Sequence, residues 1–350
     1  MSFILKQTKD FKIFKSDSYS YIFNKNNGTL IRWGKTKDDD PDWSFAGPEI
    51  FDIEISSGFC HKSCPWCYKE NGKDKIVKNM TLEQFKIILS KIPVTLTQIA
   101  FGITGLETNS EMWKIFEYTR SQGIIPNFTC NGLGVDNQIA KNTADLCGAV
   151  AISVTENNKQ ISLEAIHRFI DNGCKQVNIH YMLSKQTYEW AFEIVDSVKN
   201  IKGFQAIVFL QYKPKGRNKD KYDSLLDPIQ YRKLVAYCDA NGVSYGFDSC
   251  SCGVFLESIK DRQDFSQIKL MSEPCESGLF SGYANCDGIF FPCSFLEGEG
   301  EWKEGLDIMK CNDFITDIWM NPKTIKWRET LINNKRNCPY YFQDSNLEKK

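Results

Sequence analysis

No apolar run in this chain is long enough to span a bilayer, and the first residues, MSFILKQTKDFKIFKSD, carry a charge every few positions. Such a start lacks the layout of a secretory signal peptide. The charges nearly cancel, because 43 basic residues face 44 acidic ones and leave a formal net charge of −1. This balance gives no overall attraction to nucleic acid or to an anionic membrane. We therefore expect a soluble, cytoplasmic protein, with nothing to indicate a nucleic-acid or membrane partner.

Disulfide bonds are not expected either, although the chain has 14 cysteines. Without a secretion signal, so many thiols are unlikely to form a disulfide framework. Cys147, Cys174 and Cys238 lie inside helical patterns and are interpreted as small buried hydrophobic residues. That interpretation fails for the cysteines clustered near residue 60 and after residue 250, which need another explanation.

With 350 residues, of which 42% are hydrophobic, the chain is long enough for one large domain and a smaller one. Residues 1–48 are predicted to be β-rich. Two apolar runs meet there at Asn27-Gly28, a strong hairpin signal.

From residue 49 onward, apolar runs alternate with helical patterns. The predicted strands cover residues 49–56, 97–103, 124–130, 149–155, 176–183 and 203–212. The first helix is predicted after Thr81, as N-cap, with Gln84 completing a capping box. Glycines after the helical patterns are expected to end four helices in a left-handed conformation: Gly123, Gly148, Gly173 and Gly242.

Six such βα units predict parallel strands joined by right-handed crossovers. The best-fitting fold class is α/β, an open, partial (β/α)6 TIM-like barrel over residues 49–243, with a doubly wound sheet as the alternative. After residue 243 the alternation stops, and YANCDGIFFPCSF predicts a hairpin at Asp287-Gly288. Residues 244–350 are interpreted as a smaller, cysteine-bearing domain.

Cys60, Cys64 and Cys67 follow the first predicted strand with spacings of three and two residues. Three thiolates so placed can each bind one iron of a cubane and leave the fourth iron open, as a catalytic site requires. Structural zinc is the alternative. It would need a fourth ligand nearby, and His61 is the only candidate; chelation by adjacent residues would be strained.

This segment resembles the CxxxCxΦC motif of the radical S-adenosylmethionine superfamily, with Trp66 at the aromatic position. The resemblance covers about residues 49–240. It implies a 4Fe–4S cluster, S-adenosylmethionine bound at the open iron, and a 5′-deoxyadenosyl radical that abstracts hydrogen from a substrate. The first step is reductive, so the resemblance also implies an electron donor of the flavodoxin or ferredoxin type.

Further cosubstrate contacts follow from the same resemblance. The family's Gly-Gly-Glu motif corresponds to Gly105, Leu106 and Glu107, so the middle glycine is missing. Asn131 resembles the family's Thr-Asn-Gly strand end, and Ser153 lies where relatives place a ribose contact. An ordinary turn or capping role is the alternative for each. Residues 213–217, Lys-Pro-Lys-Gly-Arg, resemble segments of peptide-modifying relatives, although a solvated basic loop is slightly favoured.

The later cysteines resemble the SPASM and twitch domains of this superfamily, which hold auxiliary iron–sulfur clusters. Cys275 is followed by a G-x4-C motif, which ends at Cys293. The family's last motif is CxxC; here Cys338 is its first position, and Tyr341 replaces the second cysteine. The resemblance therefore implies an auxiliary 4Fe–4S cluster held by Cys275, Cys293 and Cys338. The fourth ligand is expected upstream at Cys250 or Cys252, which would face the same side of a predicted extended segment, and Cys252 is preferred because Gly253 beside it allows a close backbone approach. An open iron, a zinc site or free thiols are the alternatives.

Auxiliary clusters accompany relatives that modify peptides or proteins, and this is the leading functional hypothesis. Radical modification or dehydrogenation of a small molecule or nucleotide is the runner-up, and a non-enzymatic iron–sulfur sensor or scaffold is the third. No motif fixes a catalytic acid or base. Four residues are candidates only by position near strand ends: Asp248, Tyr245, His180 and Glu156.

Overall fold

The computed structural model of the chain describes residues 3–36, 39 and 41–341. Its N-terminal part is a four-stranded antiparallel sheet in chain order, formed by β1 (Ile4–Gln7), β2 (Phe11–Lys15), β3 (Ser20–Asn24) and β4 (Leu30–Trp33). The predicted hairpin is confirmed: β3 pairs with β4, and Gly28 in the turn has φ +75°. Two strands precede the hairpin that the sequence indicated.

A ten-stranded sheet and nine α-helices form most of the remaining described chain. In chain order, the strands are β5 (Ile50–Glu54), β6 (Ser56–Ser57), β7 (Lys78–Asn79), β8 (Gln98–Gly102), β9 (Ile125–Cys130), β10 (Val150–Val154), β11 (Val177–Leu183), β12 (Ala206–Gln211), β13 (Tyr245–Phe247), β14 (Ser281–Ala284), β15 (Ile289–Phe291) and β16 (Leu306–Asp307), of which β6 and β7 pair only with each other. The helices are α1 (Leu82–Lys91), α2 (Met112–Ser121), α3 (Asn137–Leu146), α4 (Lys159–Asp171), α5 (Tyr188–Val198), α6 (Pro228–Ala240), α7 (Cys252–Ile259), α8 (Phe265–Leu270) and α9 (Pro322–Asn333).

The order of the large sheet decides between the two predicted fold classes. It runs β13-β12-β11-β10-β9-β8-β5-β14-β15-β16, so the parallel strands from β5 to β13 follow the chain without a reversal. A doubly wound sheet reverses its order at a switch point, whereas uninterrupted right-handed crossovers place the helices on one face. The partial TIM-like barrel is therefore confirmed. Its edge strands, β13 and β16, do not pair with each other among the described strands.

The two faces of the barrel strands differ in packing. Outward residues such as Phe51, Ile53 and Phe101 are buried in the core beneath the helices. Inward positions alternate with them, and Asp52, Gly102 and other inward residues keep contact with solvent. The inner face therefore lines an open bore rather than a packed core.

The helix boundaries follow local signals that the sequence carries. Thr81 and Gln84 form the predicted capping box of α1, since the Gln84 amide donates to the Thr81 hydroxyl at 3.2 Å. Of the four glycines expected to be left-handed, Gly123, Gly173 and Gly242 have positive φ. Gly148 does not, so that expectation is wrong. A Cβ there would lie 2.5 Å from the Ile125 side chain, so close packing requires this glycine.

The chain beyond residue 243 joins both edges of the barrel sheet. The short strand β13 continues the parallel series and pairs with β12, and β14 pairs in parallel with β5 at the other edge. The predicted hairpin at Asp287-Gly288 is confirmed between β14 and β15, with Gly288 at φ +74°. The alternation of strand and helix thus continues one unit further than expected.

The N-terminal sheet lies against the loops that enter the barrel strands. Lys12 Nζ donates to the carbonyl of Val94, 3.1 Å away, and Tyr21 donates to the carbonyl of Thr95, both just before β8. Gln176, just before β11, donates to the carbonyl of Asn27. The sheet therefore covers the N-terminal end of the barrel and leaves the C-terminal mouth free. Within the part of the chain that is described, no helix has the length and apolarity to cross a membrane.

Candidate functional site

The first cysteine cluster lies on the loop that leaves β5 at the barrel mouth. Cys60, Cys64 and Cys67 are free thiols, each partly buried. Burial, together with the neighbouring Cys60 and Cys67, raises the pKa of the Cys64 thiol to about 11. Burial also raises the pKa of Cys67, although backbone N–H groups of two following residues donate to its sulfur and lower it in part. Burial therefore disfavours the thiolates unless a metal cluster shares the site, while the N–H donors stabilise the sulfur of Cys67 as a thiolate.

Residues 213–217 hold this loop in place. Arg217 donates from Nη1 to the Cys64 carbonyl at 2.9 Å and from Nη2 to the Asn71 carbonyl at 2.8 Å. Its own amide donates to the Cys67 carbonyl at 3.1 Å. Gly216 has φ +72°, and a Cβ on it would lie 2.5 Å from the Cys67 carbonyl oxygen. The favoured interpretation of this segment as a solvated basic loop is therefore wrong: its close backbone approach and charged hydrogen bonds clamp the cysteine loop.

Gly105 and Glu107 form the turn after β8, beside the cysteine loop. The Glu107 carboxylate is more than half exposed and lies 3.4 Å from His61 Nε2. Leu106, which replaces the family's middle glycine, is buried in the hydrophobic core. Its side chain points away from the mouth, so the replacement leaves the space above the cysteine loop clear.

Asn131 and Ser153 lie at the ends of neighbouring strands, β9 and β10. The buried Asn158 amide donates to the backbone carbonyls of both, at 3.0 Å each. Asn131 also caps a turn, because its side chain accepts the Leu133 amide at 2.9 Å. The Ser153 side chain stays partly exposed on the inner face. Asn158 thus couples the two strand ends, a role that the sequence analysis missed.

Trp66, the aromatic residue of the motif, is partly buried and meets the Tyr222 ring edge-on, with centroids 5.5 Å apart. Tyr222 follows the clamping segment along the chain. The indole therefore supports the outer side of the cysteine loop.

The candidate bases differ in their surroundings. His180 Nδ1 lies 3.1 Å from the Thr129 hydroxyl inside the bore, and burial lowers the pKa of His180 to about 4 despite the nearby Asp248. Asp248 is paired with Lys213 at 3.1 Å.

Asp52, which the sequence reasoning missed, faces the bore. Burial within the surrounding barrel raises its pKa to about 7. Its signal was an acidic residue inside an otherwise apolar strand.

The later cysteines come together beside this mouth. Burial raises the pKa of Cys293 to about 12, and the neighbouring Cys275 and Cys338 contribute to the rise. Cys250 also has a pKa raised by burial and lies within electrostatic reach of Cys275 and Cys293. The expectation that Cys250 and Cys252 share an extended segment is wrong, because Cys252 begins α7 and Cys250 lies in the preceding turn. A Ser251 hydroxyl that bonds to Asp248 stabilises that turn.

Solved structures resemble this chain over most of its length. Streptococcus suis SuiB bound to precursor peptide SuiA has a TM-score of 0.71 at 13% identity, covering 93% of this chain and 90% of SuiB. SuiB bound to S-adenosylmethionine has a TM-score of 0.68 at 13% identity, with coverage of 93% and 90%. The structure of anSMEcpe bound to AdoMet and Cp18Cys peptide has a TM-score of 0.58 at 18% identity, covering 80% of this chain and 82% of anSMEcpe. No family model and no curated protein matches the chain.

SuiB and anSMEcpe are radical S-adenosylmethionine enzymes. This chain has the radical S-adenosylmethionine fold. SuiB and anSMEcpe were both solved with S-adenosylmethionine bound, and such neighbours imply a 4Fe–4S cluster together with that cosubstrate. The residues present fit both groups: three free thiols share one clamped loop, and the exposed Glu107 carboxylate stands beside them.

A set of four thiols, Cys250, Cys275, Cys293 and Cys338, would suit a second cluster of the same kind. Among the described residues, no three histidine, cysteine or acidic side chains stand close enough to hold a single metal ion. A four-iron cluster binds one thiolate at each iron, so its ligands are spread more widely than those of one ion. The donor chemistry of this second set therefore fits a four-iron cluster.

Aromatic rings connect the two cysteine regions of this radical S-adenosylmethionine fold. Tyr68, directly after Cys67, stacks on Phe295 with centroids 4.2 Å apart and planes 18° from parallel. Phe295 follows Cys293 by two residues, and its amide donates to the Cys293 sulfur at 3.3 Å. The two loops thus share one packed contact, which fixes their separation.

Proposed function

We propose that this chain is a radical S-adenosylmethionine enzyme that modifies a side chain of a peptide or protein. The observation that carries the proposal is the clamped loop of three free thiols at the open mouth of the barrel. The cluster and S-adenosylmethionine would together supply a 5′-deoxyadenosyl radical for hydrogen abstraction. Cys60, Cys64 and Cys67 would hold the cluster. Five further residues would contact the cosubstrate: Trp66, Gly105, Glu107, Asn131 and Ser153.

The protein's own residues would position the reaction and control water. Arg217 fixes the cysteine loop, and Asn158 fixes the strand ends that carry Asn131 and Ser153. The N-terminal sheet covers the far end of the barrel, so substrate would enter at the same mouth as the cosubstrate. Asp52 offers the bore a carboxylate that could accept a proton from substrate.

A peptide substrate is favoured over a small molecule by the neighbours. SuiB was solved with its precursor peptide SuiA, and anSMEcpe with the Cp18Cys peptide. A flavodoxin- or ferredoxin-type protein would supply the electron. The auxiliary cluster belongs to the proposal as well, with Cys275, Cys293 and Cys338 as three of its ligands.

The test begins with anaerobic reconstitution and a chemical reductant. The parent chain should convert S-adenosylmethionine to 5′-deoxyadenosine and methionine, and Cys64→Ala should reduce the rate by at least about a hundredfold, because one iron loses its thiolate. Cys174→Ala, far from the mouth, is the matched control and should retain the parent rate. Equal rates in parent and Cys64→Ala would refute the assignment.

Substrate class needs a second measurement. Short peptides encoded beside the gene should change in mass when they are incubated with the reduced protein and S-adenosylmethionine. If every such peptide stays unchanged while a small metabolite is consumed together with S-adenosylmethionine, the peptide proposal is wrong and the small-molecule alternative replaces it.

A further inference from the structure

A buried lysine stands next to the second cysteine set, outside the cosubstrate site. Lys213 is only 5% exposed, and its Nζ contacts the Asp248 carboxylate at 3.1 Å and the Gln211 carbonyl at 3.2 Å. The same Nζ lies 4.4 Å from the centre of the Phe295 ring, above the Cys293 loop. Full burial of an ammonium group is costly unless anions surround it. Asp248 supplies one carboxylate, and two thiols, Cys250 and Cys293, lie within electrostatic reach of the same ammonium group.

We propose that Cys250 is the fourth thiolate of the auxiliary cluster, and that Lys213 is the cation that compensates its charge. The proposal rests on the auxiliary cluster included in the proposed function. It replaces Cys252, which the sequence analysis preferred because of the neighbouring Gly253.

The turn after β13 directs Cys250 toward the other thiols. The Asp248 amide donates to the Phe209 carbonyl at 3.0 Å, and the Ser251 amide donates to the Asp248 carbonyl at 3.0 Å. The Lys213 ion pair holds the same Asp248 from the barrel side. Cys250 therefore lies in a turn that is fixed at Asp248 and at Ser251. It lies beside Lys213 and within electrostatic reach of Cys275 and Cys293.

Cys252 faces elsewhere. It occupies the first turn of α7 and lines a separate cavity, together with Tyr245, Glu273 and Glu276. Its electrostatic neighbours are Glu273, Arg336 and Asp248, with no other cysteine among them. A thiolate there would meet two carboxylates rather than an iron–sulfur core.

Tyr341 stands where the family has its closing cysteine, and its side chain already makes other contacts. Its hydroxyl donates to the Phe295 carbonyl at 3.1 Å, and its ring meets the Phe295 ring edge-on. Soft iron–sulfide sites prefer thiolate to phenolate. The tyrosine thus packs the cluster loop and leaves the ligand position to Cys250.

The first experiment compares two single variants of the full chain, Cys250→Ala and Cys252→Ala, after anaerobic reconstitution. Iron, sulfide and electron paramagnetic resonance spectra report both clusters without reference to activity. Cys250→Ala should lose iron and change the auxiliary signal, whereas Cys252→Ala should match the parent. Far-ultraviolet circular dichroism of the apo forms checks folding, and Cys250→Ser repeats the test if the alanine variant is misfolded.

The outcomes separate the two levels of the proposal. A parent chain with iron for the radical site alone would refute the auxiliary cluster itself. Iron loss in Cys252→Ala with a parent-like Cys250→Ala, or full iron in both, would overturn the Cys250 assignment and leave the cluster standing.

The second experiment measures the auxiliary midpoint potential in Lys213→Met, with the exposed Lys219→Met as the matched control. Reduction adds negative charge to a cluster, so a neighbouring cation favours the reduced form. Lys213→Met should lower the potential, and Lys219→Met should leave it unchanged. The variant Lys213→Gln also removes the charge but keeps a polar group that can hydrogen-bond to Asp248, so it should fold if the methionine variant does not, and it should also lower the potential. An unchanged potential in the folded variants would overturn the role of Lys213.

Discussion

Asp52 is an inward residue of β5 whose carboxylate has no hydrogen bond or ion pair to any described residue. It is accessible from the bore, yet the surrounding barrel withholds enough water to raise its pKa from 3.8 to about 7. A carboxyl group that binds its proton more tightly in the folded state stabilises the fold at low pH. That contribution is complete below about pH 4 and disappears as the pH rises through about 7.

We therefore predict that Asp52→Asn removes this pH dependence. The free energy of unfolding of the parent should fall relative to that of Asp52→Asn between pH 4 and pH 8, as measured by urea titration of the apo protein. In the loaded enzyme, the same variant should still form 5′-deoxyadenosine but yield less product, if Asp52 accepts the substrate proton. Parallel pH profiles of the two proteins would contradict the raised pKa.

At the scale of single residues, the sequence predicted which side chains carry the chemistry, but not in which direction those side chains point. The three cysteines of the first loop and the capping box at Thr81 depend on short spacings that the sequence displays directly. The choice between Cys250 and Cys252 depends on whether residues 248–252 extend or turn. Asp248 and Ser251 close a turn there through their side chains, and a strand pattern of two cysteines cannot reveal it.

Among the elements, the N-terminal sheet is tied to the rest of the protein by Arg32 of β4. Its guanidinium is 6% exposed and contacts Glu49 at 2.8 Å, Glu276 at 2.9 Å and Glu273 at 2.7 Å. It also stacks over the Phe280 ring at 3.6 Å. One cation thus joins the N-terminal sheet to the start of β5 and to the segment before β14.

Replacing Arg32 with Met should lower the free energy of unfolding by about 3–5 kcal/mol, because the buried Glu49 carboxylate and the partly buried Glu276 lose their partner. Arg262→Met is the matched control. Arg262 also pairs with two carboxylates, Asp239 and Asp264, but at the surface, where such pairs contribute about 0–1 kcal/mol. Urea unfolding at neutral pH measures both. A loss below about 1 kcal/mol for Arg32→Met would show that this cluster of ion pairs contributes no more than a surface pair.

The elements that the sequence predicted were the long periodic ones. The six βα units combine strands of five to seven residues with helices of ten to thirteen residues, and three of those helices are followed by a left-handed glycine. Strand β13 has three residues, too few for a periodic pattern, and was missed together with α7. The pairing of β14 with β5 joins residues about 230 positions apart, and the local sequence of neither strand indicates which strand it pairs with.

At the scale of the whole molecule, the pairing of β14 with β5 bears on whether the barrel can fold without the C-terminal part of the chain. The division into residues 1–48, 49–243 and 244–350 remains a proposal. β14 completes the β5 edge, and Phe290 of β15 stacks on Phe51 of β5 with planes 7° apart. Phe314 packs edge-on against both rings, at 6.0 and 6.1 Å. The C-terminal part therefore supplies some of the apolar surface that buries the first barrel strand.

A chain that ends at residue 243 should consequently fail to fold as the parent does. It would expose the β5 edge and the Phe51 ring, and unpaired strand edges next to apolar surface promote aggregation. Size-exclusion chromatography and thermal unfolding should show aggregates and no cooperative transition for the fragment, against one main transition for the full apo chain. A monomeric fragment with a sharp transition would mean that the barrel is autonomous and that β14 is an accessory strand. The shared sheet predicts the opposite, because removing β14 takes away a hydrogen-bonded neighbour of the strand that leads directly into the cysteine loop.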